Sequence, residues 1–402
     1  MFLLKLLLCL LLPTNANTIR LQTPHPLLSP SESMHQIATE CDKLDVGTPD
    51  LYGDFHLENS FLRQFEADLA EEFGKEDAVF LPSGVMAQQI ALLVHSKEKK
   101  KTSFLCHKTS HLLIHEKEGY SELCGLHAVD LPLTEQKMGI SGPPLLYDHL
   151  LEAELDDICT LIIELPHREL GGKLTPWSDI MQMQHLMKEK DISFHCDGAR
   201  IFEASVGYKK SVRELASPFE SIYFSFYKGL ASPYGGAMLM GTNSFCEEAR
   251  IWLRRFGGNL YSLLPYIVAG KAGYLKYVKD QSHPTLSFGD KHQKLLRITD
   301  SIQKKGFETV GCFEPEVPEV NMVHCFLRLS SKDCIGIRDE IEDKSGVSIF
   351  HRISELKEGD KGWDEGYRCK FELYMGQANG SIEDEIWVNT WSDFIHLASD
   401  KK

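Results

Sequence analysis

The sequence predicts an α/β fold with a mostly parallel sheet flanked by helices, followed by a smaller C-terminal α+β domain. The chain of 402 residues is long enough to bury a large core and to form two domains. Short apolar runs alternate with amphipathic helical stretches up to about residue 256, a pattern typical of parallel strands joined by helices. After about residue 285 this alternation ends, and one helical stretch precedes three strand-like segments.

The first 33 residues are predicted to be a signal-like or disordered segment. Residues 1–12 read MFLLKLLLCLLL and precede the polar TNANT, which resembles the apolar region of a signal peptide and is too short to span a bilayer. Prolines 24, 26 and 30 predict a linker or arm over residues 20–33. The large domain is therefore assigned to residues 34–285 and the small domain to residues 286–402.

The first elements of the large domain are predicted from apolar spacing and turn residues. A helix is expected from about Glu58 to Phe73, and Gly74 ends it. The strand-like run Ala78–Leu81 follows, and Pro82-Ser83-Gly84 leads into a second helix.

The later elements follow from the same two periodicities. In the large domain, the further strand-like runs are Thr160–Leu165, Ile192–Cys196, Ser221–Phe226 and Ala237–Gly241, and the helices are Trp177–Lys190 and Phe245–Phe256. In the small domain, the expected helix is Lys291–Lys304 and the expected strands are Met322–Leu329, Gly346–Phe350 and Arg368–Met375.

The composition argues against several classes of protein. A net charge of −15 disfavours a nucleic-acid or anionic-membrane binder, because both need a basic face. The 11 cysteines include no CxxC pair, so neither a disulfide framework nor a metal site is predicted. The free-cysteine pattern favours the cytoplasm, whereas residues 1–17 leave the secretory pathway as the alternative.

An acid and an amine are predicted to lie at one edge of the sheet. Asp197 follows the run Ile192–Cys196, and Lys228 follows the run Ser221–Phe226. The carboxyl ends of parallel strands border the crevice in which α/β folds bind ligands. A buried lysine can hold an aldehyde as a Schiff base, and a carboxylate can keep a pyridine nitrogen protonated. The structural alternatives are a helix cap for Asp197 and a surface loop for Lys228.

Three other segments also lie at element ends. Ser83, Gly84 and Val85 open a helix, where free N–H groups and the helix dipole favour a phosphate, although ordinary capping is the alternative. His111 offers a flat ring that can stack on a pyridine, and His167 follows a strand and can act as a base. Among 17 histidines, an arbitrary one is more often structural than catalytic.

Six stretches of the chain match one known enzyme family in sequence and in order. They are LYGD at 51–54, FGKEDAVFLPSGVMAQQIAL at 73–92, KTSHLLIHEKEG at 108–119, HRELGGKL at 167–174, FHCDGARIFEA at 194–204 and SFYKGLASPYGGAMLMG at 225–241. The chain therefore resembles the threonine aldolase and β-eliminating lyase group of fold-type I pyridoxal-phosphate (PLP) enzymes over roughly residues 45–395. The resemblance implies PLP as the cofactor and a fold-type I large domain.

The resemblance implies roles for both sides of the site. On the cofactor side, Lys228 is expected to hold the aldehyde and Asp197 to face the ring nitrogen. The other implied cofactor contacts are Ser83, Gly84 and Val85 at the phosphate, His111 stacked on the ring, and Arg200 at the cofactor or a substrate carboxylate. His167 corresponds to a histidine that handles the substrate β-hydroxyl. Tyr52 corresponds to a tyrosine that reaches a neighbouring subunit, which implies a homodimer or homotetramer with shared active sites.

The substrate side departs from the family pattern. Residues 18–45 contain no counterpart of the SDTVT stretch that supplies a serine to the substrate. Glu372 stands in place of the arginine that binds the substrate carboxylate, and an acid there would repel a carboxylate. The segment Gly257–Tyr261 lacks the family's basic residue. The candidate substitutes for the missing arginine are Arg168, Arg200 and Arg368.

Three functions compete on the sequence alone. The resemblance favours a PLP-dependent lyase that cleaves L-threonine or L-allo-threonine to glycine and an aldehyde. Glu372 favours a different PLP-dependent lyase, one that eliminates or decarboxylates, or that takes a substrate without a free carboxylate. The third function is a non-catalytic binding protein with this fold, which the presence of Lys228 and Asp197 disfavours.

Overall fold

A computed structural model of the chain describes residues 18–47, 60–129, 131, 138–279 and 286–401. Its strands, in chain order, are β1 (Ile19–Arg20), β2 (Asp77–Leu81), β3 (Ser103–Leu105), β4 (His127–Val129), β5 (Ile158–Glu164), β6 (Ser193–Asp197), β7 (Ser221–Ser225), β8 (Ala237–Gly241), β9 (Gly311–Glu314), β10 (Met322–Leu327), β11 (Val347–Ser348), β12 (Ser354–Glu355) and β13 (Cys369–Tyr374).

The α-helices are α1 (Pro30–Lys43), α2 (Phe61–Phe73), α3 (Gly84–Lys99), α4 (His111–Ile114), α5 (Gly119–Glu122), α6 (Asp148–Leu151), α7 (Trp177–Glu189), α8 (Ile201–Tyr208), α9 (Val212–Ala216), α10 (Asn243–Arg255), α11 (Leu264–Tyr274), α12 (Phe288–Gln303), α13 (Ser331–Ser345), α14 (Gln377–Gly380) and α15 (Asp384–Ser399). A π-helical turn, Leu275–Lys279, continues α11. Across the described ranges, no helix combines the length and the apolar character needed to cross a bilayer.

The large domain is built on a seven-stranded sheet in the order β2-β8-β7-β6-β5-β3-β4. The five adjacent strands β7, β6, β5, β3 and β4 pair in parallel, and β8 is antiparallel to both of its neighbours. The predicted mostly parallel sheet flanked by helices is therefore confirmed. Because β8 is antiparallel to both β2 and β7, β2 and β7 run in the same direction. The carboxyl ends of β2 and β7 therefore lie at one edge of the sheet with those of β5 and β6.

The first predicted helix shows how local sequence sets an element's limits. The helix predicted from about Glu58 begins at Phe61, because the extended Ser60 caps it by accepting a hydrogen bond from the Arg63 N–H. Gly74 ends it in the left-handed region at φ 68°, which glycine adopts without steric cost. The buried face of the helix packs on the sheet through Leu62, Phe65, Leu69 and Phe73.

The small domain has its own core and a four-stranded antiparallel sheet in the order β12-β13-β10-β9. Its predicted helix and strands are present, except that the segment Gly346–Phe350 is extended only at β11. Aromatic packing dominates this core, where Trp391 contacts Phe307 and Phe371. Helices α13 and α15, which the sequence patterns did not predict, cover this core.

In the N-terminal segment predicted to be signal-like or disordered, residues 1–17 lie outside the described residues, whereas residues 18–33 are ordered and partly built into the small domain. β1 pairs in parallel with β11, and Leu21 is fully buried in the small-domain core. Burying a leucine side chain contributes about 1.5–3 kcal/mol, and the strand pairing satisfies the adjoining backbone. Helix α1 begins at Pro30, capped by Ser29, so it crosses the predicted boundary at residue 33.

Candidate active site

Lys228 lies just beyond β7 and lines a cavity of about 360 Å³ between the sheet edge and the small domain. Burial, assisted by the Arg200 and Arg168 guanidinium groups, lowers the pKa of the Lys228 amine to about 8. More of this amine is therefore neutral near physiological pH than in an ordinary lysine. A neutral, buried amine is the form that attacks an aldehyde.

The Asp197 carboxylate ends β6 and is 1% exposed. Its Oδ1 accepts a hydrogen bond from the Ala199 N–H at 3.1 Å, and its Oδ2 accepts one from Gln88 Nε2 at 2.5 Å. Burial and the neighbouring Glu164 carboxylate raise the pKa of Asp197 to about 7. The helix-cap alternative does not describe this residue, because the N-cap position of α8 is occupied by Arg200.

The first turn of α3 lies at the same edge of the sheet. The Gly84 N–H donates to Tyr227 Oη at 3.2 Å, next to Lys228 in the chain. The Ser83 hydroxyl accepts from the Met86 N–H at 3.2 Å, and Val85 is exposed. The helix dipole and N-terminal N–H groups here can bind an anion. Both predicted interpretations of this turn, capping and anion binding, are compatible with this geometry.

Gly84→Ala is expected to raise the PLP dissociation constant by roughly tenfold to a hundredfold, since overpacking costs about 1–3 kcal/mol. A Cβ at Gly84 would lie 2.9 Å from both Tyr223 Cε2 and Tyr227 Oη. Absorbance titration of apoprotein with PLP measures the constant. The matched control is Gly336→Ala in α13, where the nearest atom to a new Cβ is 3.8 Å away. Equal constants for the Gly84 variant and the control would contradict a close-packed phosphate turn.

His111 begins α4 and is anchored by two carboxylates. Its Nδ1–H donates to Glu116 Oε1 at 3.0 Å, and its backbone N–H donates to Glu164 Oε2 at 3.2 Å. The hydrogen bond to Glu116 raises the pKa of His111. Gln89 in turn donates to Glu116 Oε2 at 2.9 Å, so the imidazole is held in place from behind. A fixed ring close to Asp197 suits stacking on a planar ligand.

His167 is buried, and its Nε2 lies 3.0 Å from Thr109 Oγ1 and 3.2 Å from the Thr109 carbonyl oxygen. Its ring also meets His107 edge-on, with the centroids 4.6 Å apart. The residues that line the Lys228 cavity include the adjacent Arg168 but not His167. The predicted role of His167 at the substrate hydroxyl therefore stays a prediction.

The candidate substitutes for the missing arginine separate into two groups. Arg168 and Arg200 line the cavity with Lys228 and Glu372. Arg168 Nε donates to Glu372 Oε2 at 2.8 Å. Arg200 is 8% exposed, and its Nε has no hydrogen-bond partner among the described residues. Arg368 is instead directed to the Trp363 and Tyr367 carbonyl oxygens, so it is no substitute.

Glu372 and its neighbours change the charge of the site without making it acidic. Although Glu372 is partly buried, Arg200 and Arg168 hold the pKa of its carboxyl below the usual range. The cavity is therefore lined by one carboxylate and three guanidinium groups, those of Arg168, Arg200 and Arg352, next to the Lys228 amine. An additional anion would still meet a net positive field at Arg200.

The N-terminal arm contributes residues that sequence reasoning missed. Gln22 and His25 line the cavity, and the Gln22 side chain donates to the Glu372 carbonyl oxygen at 3.0 Å. Gln22 Oε1 also accepts from the N–H groups of His351 and Arg352. The available signal was the short alternating run at Ile19–Leu21, which can pair as a strand.

Tyr52 lies outside the described residues. Its expected role at a neighbouring subunit, and the homodimer or homotetramer that this role implies, stay predictions. Among the residues that the structure describes, no group of three or more His, Cys, Asp or Glu side chains is arranged to hold a metal ion.

The assembled residues fit PLP. Gly84 lets the backbone of the α3 turn approach the side chains of Tyr223 and Tyr227, Arg200 presents an unpartnered buried Nε, and Lys228 supplies an amine with a lowered pKa. Asp197 supplies the buried carboxylate that a pyridine nitrogen requires. One sheet edge therefore brings together a turn suited to a phosphate, a hydrogen-bond donor for an anion, an amine that can bind an aldehyde and a carboxylate that can hold a proton at the ring nitrogen.

Comparison with known proteins points the same way. The family model described as β-eliminating lyase matches residues 31–329. "Probable low-specificity L-threonine aldolase 2" of Arabidopsis thaliana is 31% identical over 251 residues, which are 62% of this chain and 67% of that protein. Alignments with other curated relatives cover 49–64% of those proteins, so the chain spans about half to two-thirds of their length.

Two solved structures resemble nearly the whole chain. One is a protein from Exiguobacterium sp. 255-15 assigned as an aromatic amino acid β-eliminating lyase/threonine aldolase, with a TM-score of 0.80, 29% identity, and coverage of 95% of this chain and 98% of that chain. The other, from Listeria monocytogenes EGD-E, is assigned as an L-allo-threonine aldolase, with a TM-score of 0.79, 29% identity, and coverage of 96% and 98%. The fold-type I architecture expected from the sequence is therefore confirmed.

Proposed function

We propose that this chain, which belongs to the β-eliminating lyase family and is a PLP-dependent lyase, cleaves a β-hydroxy-α-amino acid to glycine and an aldehyde. L-Threonine and L-allo-threonine are the proposed substrates, because threonine aldolases are among the relatives. The observation that carries the proposal is the placement of the buried Arg200 beside Lys228. The Arg200 guanidinium offers a hydrogen-bond donor where a substrate carboxylate would lie.

The residues of the site divide the work of this reaction. When bound, PLP supplies an electron sink for the bond that breaks at the substrate Cα. Lys228 would hold the cofactor through its aldehyde. Asp197 would hold a proton at the ring nitrogen, and His111 would lie against the ring. His167, or a water molecule bound beside it, takes the β-hydroxyl proton as the Cα–Cβ bond breaks.

The carboxylate of the substrate is proposed to bind at Arg200, assisted by Arg168. The Arg200 Nε lacks a protein partner among the described residues, and a carboxylate oxygen would satisfy it with a charge-assisted hydrogen bond. Glu372 holds Arg168 through its Nε and so orients that guanidinium group at the cavity wall. In this arrangement, the arginine that the family has at position 372 is replaced by the ion pair of Glu372 and Arg168. The positive charge of this pair comes from Arg168, which follows β5 and not β13.

A substrate screen on PLP-loaded protein tests the proposed reaction. L-Threonine, L-allo-threonine and phenylserine are expected to release glycine and an aldehyde in equal amounts. The control is 1-amino-2-propanol, which keeps the amine and the hydroxyl but lacks the carboxylate. Glycine and aldehyde measured together distinguish cleavage from elimination, which would release ammonia and an oxo acid. The absence of glycine from every β-hydroxy amino acid would exclude the proposed reaction.

A second candidate function is a PLP-dependent lyase that acts on an amine without a free carboxylate. The position of Glu372 in the cavity favours it, because this carboxylate would attract a cationic group and repel an anionic one. Turnover of 1-amino-2-propanol without turnover of the amino acids would support this second function.

Glu372→Gln discriminates between the two functions. The amide still accepts from Arg168 Nε but carries no charge, so the KM for L-threonine is expected to fall roughly threefold to tenfold, a change of about 1 kcal/mol for one partly screened charge. The kcat is expected to change little. Glu169→Gln is the matched control, because Glu169 also pairs with Arg168 but does not line the cavity. A rise in the KM for L-threonine in the Glu372→Gln variant would instead favour the second function, in which the substrate is cationic.

A further inference from the structure

A chain of hydrogen bonds runs from Asp197 through the core between α3 and the sheet. Gln88 Nε2 lies 2.5 Å from Asp197 Oδ2, and Gln88 Oε1 lies 2.9 Å from His195 Nε2. His195 Nδ1 lies 2.7 Å from Ser221 Oγ, which is 2.6 Å from His95 Nε2. All five residues are buried, and none of them is among the residues that line the Lys228 cavity.

The periodicity of three elements places these groups in line. His195 and Asp197 are two residues apart on β6, so they share one face of the strand. Gln88 and His95 are seven residues apart on α3, so they share one face of the helix. Ser221 of β7 is paired with His195 in the sheet. The line ends at His95, whose Nδ1 lies 4.0 Å from Glu98 Oε2. Inside a protein of low dielectric, a connected line of hydrogen bonds of this kind orients its members.

The direction of every hydrogen bond follows from an ionised Asp197. A carboxylate only accepts, so the Gln88 amide nitrogen must face it, and the Gln88 oxygen then requires a proton on His195 Nε2. Burial lowers the pKa of His195 well below its usual value, so the ring is neutral and its Nδ1 accepts from the Ser221 hydroxyl. That hydroxyl can then only accept from His95 Nε2–H.

A proton on Asp197 Oδ2 would permit the opposite direction. The carboxyl would then donate to the Gln88 oxygen, and the donors and acceptors beyond it would exchange roles as far as His95. The charge of Asp197 and the direction of the chain are therefore linked. Any residue that favours the first direction also favours the ionised carboxylate.

We propose that Gln88, His195 and Ser221 are positioning residues whose hydrogen-bond direction keeps Asp197 ionised and oriented toward the PLP ring nitrogen. The proposal rests on the cofactor and on no particular substrate, so it stands if the threonine reaction fails. It also explains how a buried acid, whose pKa burial and Glu164 raise to about 7, can stay ionised and hold a cationic ring nitrogen.

Several other ionisable groups act on Asp197 and must stay constant in a test. Glu164 and Glu116 disfavour its ionisation, and His111 favours it. The remaining ionisable groups coupled to it are Cys196, Tyr223 and Lys228. Substitutions at Gln88 and Ser221 leave all of these side chains in place.

Gln88→Leu is expected to raise the PLP dissociation constant roughly tenfold to a hundredfold, as expected for loss of a hydrogen bond to a charged group. The pH midpoint of the visible band of bound PLP is expected to rise, because Asp197 loses a donor to its ionised form. Ser221→Ala is expected to change both quantities in the same direction but less, by roughly twofold to tenfold in the constant. Both readouts are independent of turnover.

His149→Asn supplies the matched control, since His149 is fully buried but lies on α6, away from Asp197. This control is expected to lower the melting temperature without moving the dissociation constant or the pH midpoint. If Gln88→Leu fails to fold, Ser221→Ala alone decides the matter. An unchanged pH midpoint in the folded variants would overturn the proposal, as would NMR evidence from ¹⁵N-histidine protein that His195 is protonated at Nδ1 alone.

Discussion

Lys228→Ala is expected to abolish the visible absorbance of bound PLP and to lower lyase activity by roughly a thousandfold or more, as removal of a covalent catalytic group does. The reason is chemical, because no other described lysine lines the cavity that contains Arg200 and Glu372. Absorbance of the purified, PLP-loaded variant and glycine release measure the two effects. An unchanged visible band in the variant would mean that another amine holds the cofactor.

Lys75→Ala is the matched control for this substitution. Burial also lowers the pKa of Lys75 to about 8, but its Nζ donates to the Phe219 carbonyl oxygen and does not line the cavity. The control is expected to keep the visible band, which separates the position of Lys228 from its low pKa.

The low pKa of Lys228 has its own consequence for cofactor loading. The neutral amine attacks the aldehyde, so the rate of PLP incorporation into apoprotein is expected to rise with pH and to level off above about pH 8. An ordinary lysine would give a rate that keeps rising to about pH 10.4.

Much of the cofactor side of the site could be predicted because it depends on local sequence. Asp197 and Lys228 follow β6 and β7, and the end of a buried parallel strand is visible as the end of an apolar run. Parallel pairing then places such ends together without knowledge of any side-chain contact. Gly84 could be placed for the same reason, because it follows β2 and opens a helix.

The substrate side could not be predicted because it depends on contacts between distant segments. Arg168 meets Glu372 across 204 residues, and Gln22 meets the Glu372 backbone across 350. Local periodicity carries no signal for such pairs. The proline-rich composition after residue 23 indicated a free arm, although pairing of β1 with β11 fixes its start to the small domain.

Asp197→Asn is expected to give a folded protein whose lyase activity is lower by roughly a thousandfold, because the amide carries no charge to hold a proton at the ring nitrogen. The size and the Ala199 hydrogen bond are conserved in this substitution. The reversed direction of the Gln88 and His195 hydrogen bonds can accommodate the new amide nitrogen. Glycine release and the visible spectrum of bound PLP measure the loss. Wild-type activity in the variant would remove Asp197 from the electron sink.

The same substitution is expected to stabilise the apoprotein, and the pH dependence follows from the pKa. The pKa of Asp197 is raised from 3.8 to about 7 in the folded chain, so ionisation favours the unfolded state. The destabilisation by Asp197 is absent below about pH 4, grows as the pH rises through the window between the two pKa values, and is complete above about pH 7. The neutral amide of the Asp197→Asn variant has no such cost, so the variant apoprotein is expected to melt higher than wild type at pH 8 and equally at pH 4.

Asp191→Asn, a change at an exposed position, is the control, and its difference in melting temperature from wild type should lack this pH profile. A melting temperature lowered at pH 8 would show that the buried carboxylate is stabilised by Gln88 and Ala199 beyond its burial cost. In that case the Asp197 carboxylate would serve the reaction without lowering the stability of the apoprotein, contrary to the usual trade-off between activity and stability at active sites.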